Sequence, residues 1–160
     1  MSDHVRRIRQ LVGPELLILP SVSVLVRDDE GRVLLVRHAD SGRWGLIGGA
    51  VEVDERPEAA AVRETQEEAG VLVDLTGLVT VLGGPGFRVT YPNGDRAAYV
   101  SAVYEARVSG GTARPDHDET VEVGWFRPED LPDADLGPLA RATFEELDWL
   151  RRPLLGPSGP

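Results

Sequence analysis

The sequence predicts an α/β fold in which helices cover both faces of a mixed β-sheet, an α/β/α sandwich. Short segments with alternating apolar residues recur along the chain and are separated by turn residues, as in strands. The segment 57–69 has helical composition and is followed by Gly70, a residue typical of helix ends. A second segment, at about 138–151, has apolar residues at helical spacing. Helices interspersed with hairpins and crossovers are typical of layered α/β domains.

The first half of the chain predicts one helix and three strands before the 57–69 helix. Residues 3–12 form an amphipathic pattern, with apolar side chains on one side and arginines on the other. Residues 21–27 and 32–37 have strand patterns, and the turn sequence between them predicts a hairpin. Residues 44–47 predict a short strand that leads into the pair Gly48–Gly49.

The second half predicts mostly strands. Residues 72–82 form a strand pattern, and residues 87–91 and 97–108 flank Pro92-Asn93-Gly94-Asp95. The Asn-Gly pair in that turn is a strong hairpin signal. Residues 119–126 alternate again before the terminal helix.

The composition predicts a single domain. The chain has 160 residues, of which 41% are hydrophobic, and this is enough for a substantial core over residues 1–152. The Pro- and Gly-rich residues 153–160 are expected to form a flexible tail. The chain has no cysteine, which excludes disulfides and thiolate metal sites and fits a cytoplasmic location. Neither a signal peptide nor a membrane span is predicted, because the longest apolar stretch is short and is broken by Pro20.

The net charge of −10 restricts the partners. It argues against nucleic acid, because binding to a phosphate backbone requires a basic surface. A small anionic substrate would require bound cations to offset the negative charge.

Three glutamates on the predicted 57–69 helix could hold such cations. Glu64, Glu67 and Glu68 stand at i, i+3 and i+4, a spacing that places all three on one face of a helix. Clustered carboxylates suit hard divalent cations such as Mg²⁺. An acidic helix face is more often only solvated, and this alternative has to be weighed against the metal site.

The residues around these glutamates favour the metal site, because they form a longer pattern. The pattern has a glycine and, six positions later, a glutamate; an Arg-Glu pair, two glutamates, a glycine and an aliphatic residue follow at fixed distances. It is matched in register by Gly49, Glu55, Arg63, Glu64, Glu67, Glu68, Gly70 and Val71. This stretch resembles the Nudix box, with one departure at Thr65, where the family has an aliphatic residue. The resemblance extends over residues 3 to about 150, specifically at the box and loosely elsewhere.

The resemblance implies a Nudix-type α/β/α sandwich and a metal-dependent hydrolase. The expected reaction is hydrolysis of a pyrophosphate bond in a nucleoside diphosphate linked to another moiety, with Mg²⁺ or Mn²⁺ as cofactor. The expected metal ligands are Glu64, Glu67, Glu68 and a backbone carbonyl at Gly48 or Ala50. The resemblance also suggests a homodimer.

Two further residues of the box have expected roles. Arg63 would orient the catalytic glutamates by ion pairing, and Glu55 would be its structural partner. An ordinary surface ion pair is the alternative for these two residues.

The general base has three candidates. Glu67 lies on the box helix, whereas Glu119 and Glu122 lie near the strand at 119–126. Successive residues of a strand point to opposite faces, so at most one of the latter two faces the box helix from the strand itself. We favour Glu119, because loops at strand ends carry catalytic residues more often than strand middles do. The alternative for both is the solvent face of the strand.

The substrate is the least constrained feature. The candidate substrate-binding residues are Glu52, Phe87 and Tyr91, with Tyr99 as a further aromatic residue. Pro85, 14 positions after Val71, points weakly to ADP-ribose as the substrate, because relatives that cleave it often have a proline in that region. Nucleoside triphosphate pyrophosphohydrolysis, a non-catalytic nucleotide sensor and a structural acidic module are the alternatives.

Overall fold

The computed structural model of the chain describes residues 3–150. Its helices are α1 (Asp3–Val12), α2 (Pro57–Ala69) and α3 (Pro138–Glu146). Its strands are β1 (Leu16–Val26), β2 (Val33–His38), β3 (Trp44–Gly45), β4 (Ile47–Ala50), β5 (Val71–Leu82), β6 (Arg88–Thr90), β7 (Arg96–Gly111) and β8 (Thr120–Phe126). Within this part of the chain, no helix is long and apolar enough to cross a membrane. The last two residues of the predicted domain and the predicted tail, 151–160, lie outside the described residues.

The strands form two sheets. The larger sheet has five strands, in the order β4–β1–β7–β5, and β6 also pairs with β7. Strands β1 and β7 are parallel, whereas the other pairs of this sheet are antiparallel. The smaller sheet has the order β3–β2–β8. The larger sheet is therefore mixed, as predicted.

The predicted hairpin of residues 21–27 with residues 32–37 is wrong. β1 pairs with β4 and β7, β2 pairs with β3 and β8, and only an isolated bridge between Arg27 and Val33 joins the two segments. The physical reason is burial: Val33 to Val36 are buried, without the alternation of a strand that has a solvent face. β1 also begins at Leu16, earlier than predicted.

The helices α2 and α3 lie on opposite faces of the larger sheet. Val24 and Leu25 are adjacent in β1 and therefore point to opposite faces. Val24 belongs to a buried cluster that contains Ala60 and Ala61 of α2, whereas Leu25 belongs to a cluster that contains Phe144 of α3. The predicted α/β/α sandwich is confirmed.

The helix α2 has the predicted bounds. Pro57 occupies the first turn, where the missing N–H is not needed. Gly70 adopts the left-handed conformation at the C-terminus, with φ of 70°, and donates its N–H to the carbonyl of Gln66. The alanines at 60 and 61 are fully buried and let the helix approach the sheet closely. Thr65 is also fully buried, and its hydroxyl donates to the carbonyl of Ala61 at 2.7 Å.

Candidate active site

Two glycines of β4 allow close approach of its neighbours: Gly48 faces the backbone of β1, and Gly49 faces Glu64 of α2. A Cβ atom on Gly48 would lie 2.1 Å from the carbonyl oxygen of Val22, and one on Gly49 would lie 2.4 Å from a carboxylate oxygen of Glu64. A larger residue at position 48 would therefore push β4 away from β1, whereas one at position 49 would displace the carboxylate of Glu64. The N–H of Gly48 donates to the carboxylate of Glu68 at 3.1 Å, and this bond fixes the side chain against the strand.

Arg63 organises the acidic face of α2. Its guanidinium binds both carboxylate oxygens of Glu55, at 2.8 and 2.9 Å. One terminal nitrogen donates to Glu64 at 2.7 Å and to Glu67 at 3.0 Å, and the other to the carbonyl of Ala50 at 3.2 Å. The hydrogen bonds from Arg63 lower the pKa of Glu55. Arg63 thus joins the loop before the helix, the end of β4 and two glutamates of the helix face.

Burial opposes the charge of two helix glutamates. Burial raises the pKa of Glu68 to about 8, and the carboxylates of Glu64 and Glu119 act in the same direction. Burial also raises the pKa of Glu64, although Arg63 opposes the shift. Both carboxylates therefore lie where a cation would stabilise their ionised forms.

A second acidic segment, 116–119, lies beside α2. One carboxylate oxygen of Asp116 accepts the backbone N–H groups of Asp118, Glu119 and Thr120, at 2.8 to 3.0 Å. Thr120 is fully buried, and its hydroxyl donates to the carbonyl of Glu68 at 2.8 Å. These bonds hold the segment compactly and attach it to α2.

The helix face and the 116–119 segment share a cavity of about 750 Å³. The described residues that line it are Val5, Arg9, Leu19, Gly48, Gly49, Ala50, Glu52, Arg63, Glu64, Glu67, Glu68, Tyr91, Asp95, Ala97, Tyr99, Asp116, Asp118 and Glu119. Eight of these described residues are acidic, and two are arginines. An anionic substrate can enter such a cavity only with cations, as the net charge of the chain already suggested.

The donors in this cavity fit a hard divalent cation. They are carboxylate and carbonyl oxygens, the ligands that Mg²⁺ and Mn²⁺ prefer. Within residues 3–150, no three acidic or histidine side chains converge on one point. The hydrogen bonds above explain this: Glu64 and Glu67 are turned to Arg63, and Glu68 is turned to Gly48. These side chains would have to rotate away from these donors to bind a metal.

The structure brings most of the sequence-predicted site residues together. The cavity is lined by Glu52, Arg63, Glu64, Glu67, Glu68, Gly48, Tyr91 and Glu119. Two candidates lie elsewhere. Phe87 is 3% exposed in a short 3-10 turn that contacts α3, so it does not line the cavity. Glu122 forms an ion pair with Arg37 at 3.3 Å on an exposed part of the smaller sheet.

Sequence reasoning missed several residues of the cavity. Asp116 belongs to a segment whose Asp-x-Asp pattern is typical of turns held by an aspartate side chain, so this signal was present. Arg9 had no such signal, because one of its hydrogen-bond partners, the carbonyl of Arg96, lies 87 positions away in the sequence.

An α/β/α sandwich with an acidic cavity beside one helix fits a metal-dependent hydrolase. The sequence model of the family described as NUDIX domain matches residues 17–150. The chain therefore belongs to the Nudix family, and it is a Nudix hydrolase. Hydrolases of this family generally use divalent metal ions.

Three curated relatives with different names are similar to this chain in sequence. It is 34% identical to a MutT-like protein of Streptomyces ambofaciens, over 82% of this chain and 77% of that protein. It is 32% identical to the NAD-capped RNA hydrolase NudC of Vibrio atlanticus, over 84% of this chain and 48% of that protein, so it spans about half of NudC. It is 33% identical to the nucleoside triphosphatase NudI of Escherichia coli, over 77% of this chain and 92% of that protein.

Two solved structures agree with the fold. A MutT Nudix hydrolase from Burkholderia pseudomallei has a TM-score of 0.67 and 30% identity, with 82% of this chain and 98% of that chain covered. An ADP-ribose pyrophosphatase from Streptococcus suis has a TM-score of 0.63 and 28% identity, with 82% and 88% covered.

Proposed function

We propose that this protein hydrolyses the pyrophosphate bond of a nucleoside diphosphate linked to another moiety, with ADP-ribose or a related nucleotide as substrate and Mg²⁺ or Mn²⁺ as cofactor. One observation carries the proposal: the carboxylates of α2 and of the 116–119 segment line one cavity. That cavity, of about 750 Å³, is large enough for a dinucleotide-sized ligand. The solved ADP-ribose pyrophosphatase of similar fold supports this substrate class.

The residues have distinct roles in this proposal. Glu64, Glu67 and Glu68 would hold the metal, together with the carbonyl of Gly48. When bound, the metal neutralises phosphate oxygens and lowers the pKa of a water molecule. Arg63 orients the glutamates through the hydrogen bonds described above.

The 116–119 segment supplies the general base in this proposal. Glu119 accepts the proton of the attacking water, since its exposed side chain lines the cavity outside the Arg63 network. Glu52 and Tyr91 also line the cavity and contact the substrate.

A substrate panel with a matched inactive variant tests this function. Purified protein would be incubated with Mg²⁺ or Mn²⁺ and ADP-ribose, sugar nucleotides, dinucleotides and nucleoside triphosphates, with phosphate-containing products measured. We expect turnover of a nucleoside diphosphate derivative, and a loss of at least about a hundredfold in Glu68→Gln. Absence of turnover above the Glu68→Gln variant on every substrate would contradict the proposal.

A nucleoside triphosphate is the second candidate substrate. The triphosphatase NudI of Escherichia coli supports it, because the alignment with this chain covers 92% of that protein. The same panel separates the two candidates by comparing kcat/KM. An RNA substrate is not proposed, because the net charge of −10 opposes binding to a long phosphate backbone.

We also propose a homodimer that works in the cytoplasm. A row of exposed apolar residues on one face of the larger sheet supports the dimer: Leu16, Ile18, Val81 and Val100. The lack of cysteine supports a reducing compartment. Cell fractionation with an antibody to the protein tests the location, and recovery outside the cytoplasmic fraction would contradict it.

A further inference from the structure

The cavity has a second wall, built from elements that the metal site does not use. Helix α1 contributes Val5 and Arg9, and strand β1 contributes Leu19. The β6–β7 hairpin contributes Tyr91, Ala97 and Tyr99. We call this surface the tyrosine wall. Apart from Arg9 it is apolar and aromatic, in contrast to the acidic surfaces of α2 and of the 116–119 segment.

The side chains of the tyrosine wall are held in place by pairing and packing. Leu19 pairs with Tyr99 in the parallel register of β1 and β7, so the two side chains lie side by side on one face of the sheet. The hydroxyl groups of Tyr91 and Tyr99 form a hydrogen bond with each other. Because Val5 is only 9% exposed, helix α1 packs closely against the rest of the protein at this point. The wall is thus preformed, and a ligand would lose little by ordering it.

Arg9 attaches α1 to the strands on either side of the wall. One terminal nitrogen donates to the carbonyls of Gly13 and Glu15, between α1 and β1. The other donates to the carbonyl of Arg96, at the start of β7, at 2.6 Å. Its Nε lies 3.7 Å from the carboxylate of Asp95. Arg9 is therefore engaged by carbonyls and a carboxylate, and it acts on the position of the helix.

The hairpin turn completes this arrangement. The side chains of Asn93 and Asp95 bond to each other across the turn, at 3.0 Å. The N–H of Tyr91 donates to the carbonyl of Asp95 at 2.9 Å. The Tyr-Pro-Asn-Gly-Asp sequence thus directs a tyrosine into the cavity and a carboxylate toward Arg9.

The chemistry of the tyrosine wall excludes a terminal phosphate as its ligand. Its arginine is engaged, its nearby Asp95 is negative, and the remaining groups are aromatic rings, aliphatic side chains and hydroxyls. Such a surface suits an uncharged, planar group with hydrogen-bonding edges, because aromatic side chains stack on bases. We propose that Tyr99, with Tyr91 and helix α1, forms the subsite for the nucleobase of the substrate, and that Arg9 is a positioning residue for it. This inference rests on the proposed function.

Kinetic measurements on substrates with and without a nucleobase test the subsite. The variants are Tyr99→Ala, the conservative Tyr99→Phe, Arg9→Gln, and the control Arg7→Gln at an exposed position of the same helix. The substrates are ADP-ribose and 5-phosphoribosyl 1-pyrophosphate, which has a pyrophosphate bond but no base. We expect Tyr99→Ala and Arg9→Gln to raise KM for ADP-ribose about tenfold, with kcat within about twofold. Neither should change KM for the substrate without a base, and Tyr99→Phe and Arg7→Gln should resemble the wild type. An unchanged KM, or an equal rise for both substrates, would overturn the subsite.

Binding measurements separate a failure of the subsite from a failure of the proposed function. Titration calorimetry with Mg²⁺ would compare AMP, GMP, UMP and CMP with ribose 5-phosphate. At least one nucleotide should bind about tenfold more tightly than ribose 5-phosphate to the wild type, and Tyr99→Ala should abolish this difference. Melting curves identify any variant that is not folded. Tyr99→Phe, which keeps the aromatic ring, should keep the difference in affinity between the nucleotides and ribose 5-phosphate. If the wild type hydrolyses nothing but shows this difference, the proposed function fails and the subsite stands. Equal binding of all five ligands overturns the subsite even in an active enzyme.

Discussion

Glu68 is the residue at which burial and charge conflict most strongly. It is 4% exposed, it accepts one hydrogen bond from the backbone, and it has acidic neighbours at positions 64, 116 and 119. Its pKa of about 8 means that a metal ion has to displace a proton from this side chain near neutral pH. We therefore expect metal affinity to increase with pH up to about 8.

The same shift predicts how the stability of the metal-free protein depends on pH. Because the pKa of Glu68 is raised from 4.5 to about 8 on folding, the folded state binds the proton more tightly than the unfolded state. The stability associated with protonated Glu68 is therefore fully present below pH 4.5 and is lost as the pH rises through 8. The variant Glu68→Gln lacks this loss. In the presence of a chelator, its Tm should exceed that of the wild type by roughly 5 °C at pH 8.5, and the difference should shrink toward pH 5. A constant difference across this range would show that Glu68 does not titrate in this way.

Variants of Glu119 and Glu122 form a matched pair that tests which residue is the general base. Only Glu119 lines the cavity, whereas Glu122 is paired with Arg37 on an exposed surface. We expect Glu119→Gln to lower kcat by about a hundredfold with KM nearly unchanged, since the group acts in the transition state. Glu122→Gln should keep kcat, because an exposed ion pair contributes little. If only the Glu122 variant loses kcat, the assignment is reversed, and if neither does, the base lies on α2, where Glu67 is the candidate.

At the scale of elements, the attachment of the 116–119 segment to α2 depends on Thr120. Its hydroxyl donates to the carbonyl of Glu68 and accepts the N–H of Asp116 at 3.1 Å. Thr120 is the buried side chain that joins the segment to α2, while the N–H of Ala39 donates to the carbonyl of Glu119 at 2.9 Å. The position of the segment decides whether Glu119 can reach the substrate.

The variant Thr120→Val tests this attachment. It keeps the volume of the side chain but leaves the buried partners of the hydroxyl unpaired, which should destabilise the protein by about 1–3 kcal/mol in urea denaturation. It should also lower kcat, because the segment loses its attachment. Thr65→Val is the control: Thr65 is equally buried, but its hydroxyl bonds only the carbonyl of Ala61 within α2. That change should cost less than about 1 kcal/mol, since such bonds add little to a helix. Equal losses in both variants would mean that the attachment is unimportant.

The elements also show what the sequence alone can and cannot predict. The α2 site was predictable because helical periodicity and the glycines at 48, 49 and 70 act over short distances in the chain. The separation of β1 from β2 was not predictable, because a turn between two apolar strands is equally compatible with a hairpin and with strands of two different sheets. The role of α1 was hidden for a similar reason. Arg9 is one of several arginines on that helix, and only its distant partners distinguish it.

At the scale of the whole molecule, an apolar surface remains on the larger sheet. Ile18 is 75% exposed, and Leu16, Val81 and Val100 are 42%, 56% and 46% exposed. The register places them on one face. Ile18 pairs with Ala98 and Val81 pairs with Ala102, and Ala98, Val100 and Ala102 stand at every second position of β7. Contiguous exposed apolar residues of this kind often mark protein interfaces. A second copy of the chain could cover this surface through a two-fold axis, which brings the same face of both copies together.

The double variant Ile18→Glu/Val100→Glu tests the proposed homodimer. Because a two-fold axis brings like surfaces together, each substitution places a carboxylate in the interface from both copies, and a buried unpaired charge is strongly unfavourable. We expect a dimer for the wild type and a monomer for the double variant in light scattering at micromolar concentration. Val121→Glu is the control, since Val121 is 48% exposed on β8 of the smaller sheet, so this variant should remain dimeric. We expect circular dichroism to show that the monomer is folded, because neither Ile18 nor Val100 is buried within a single chain. A monomeric wild type, or a double variant that still dimerises, would remove this face of the sheet as the interface.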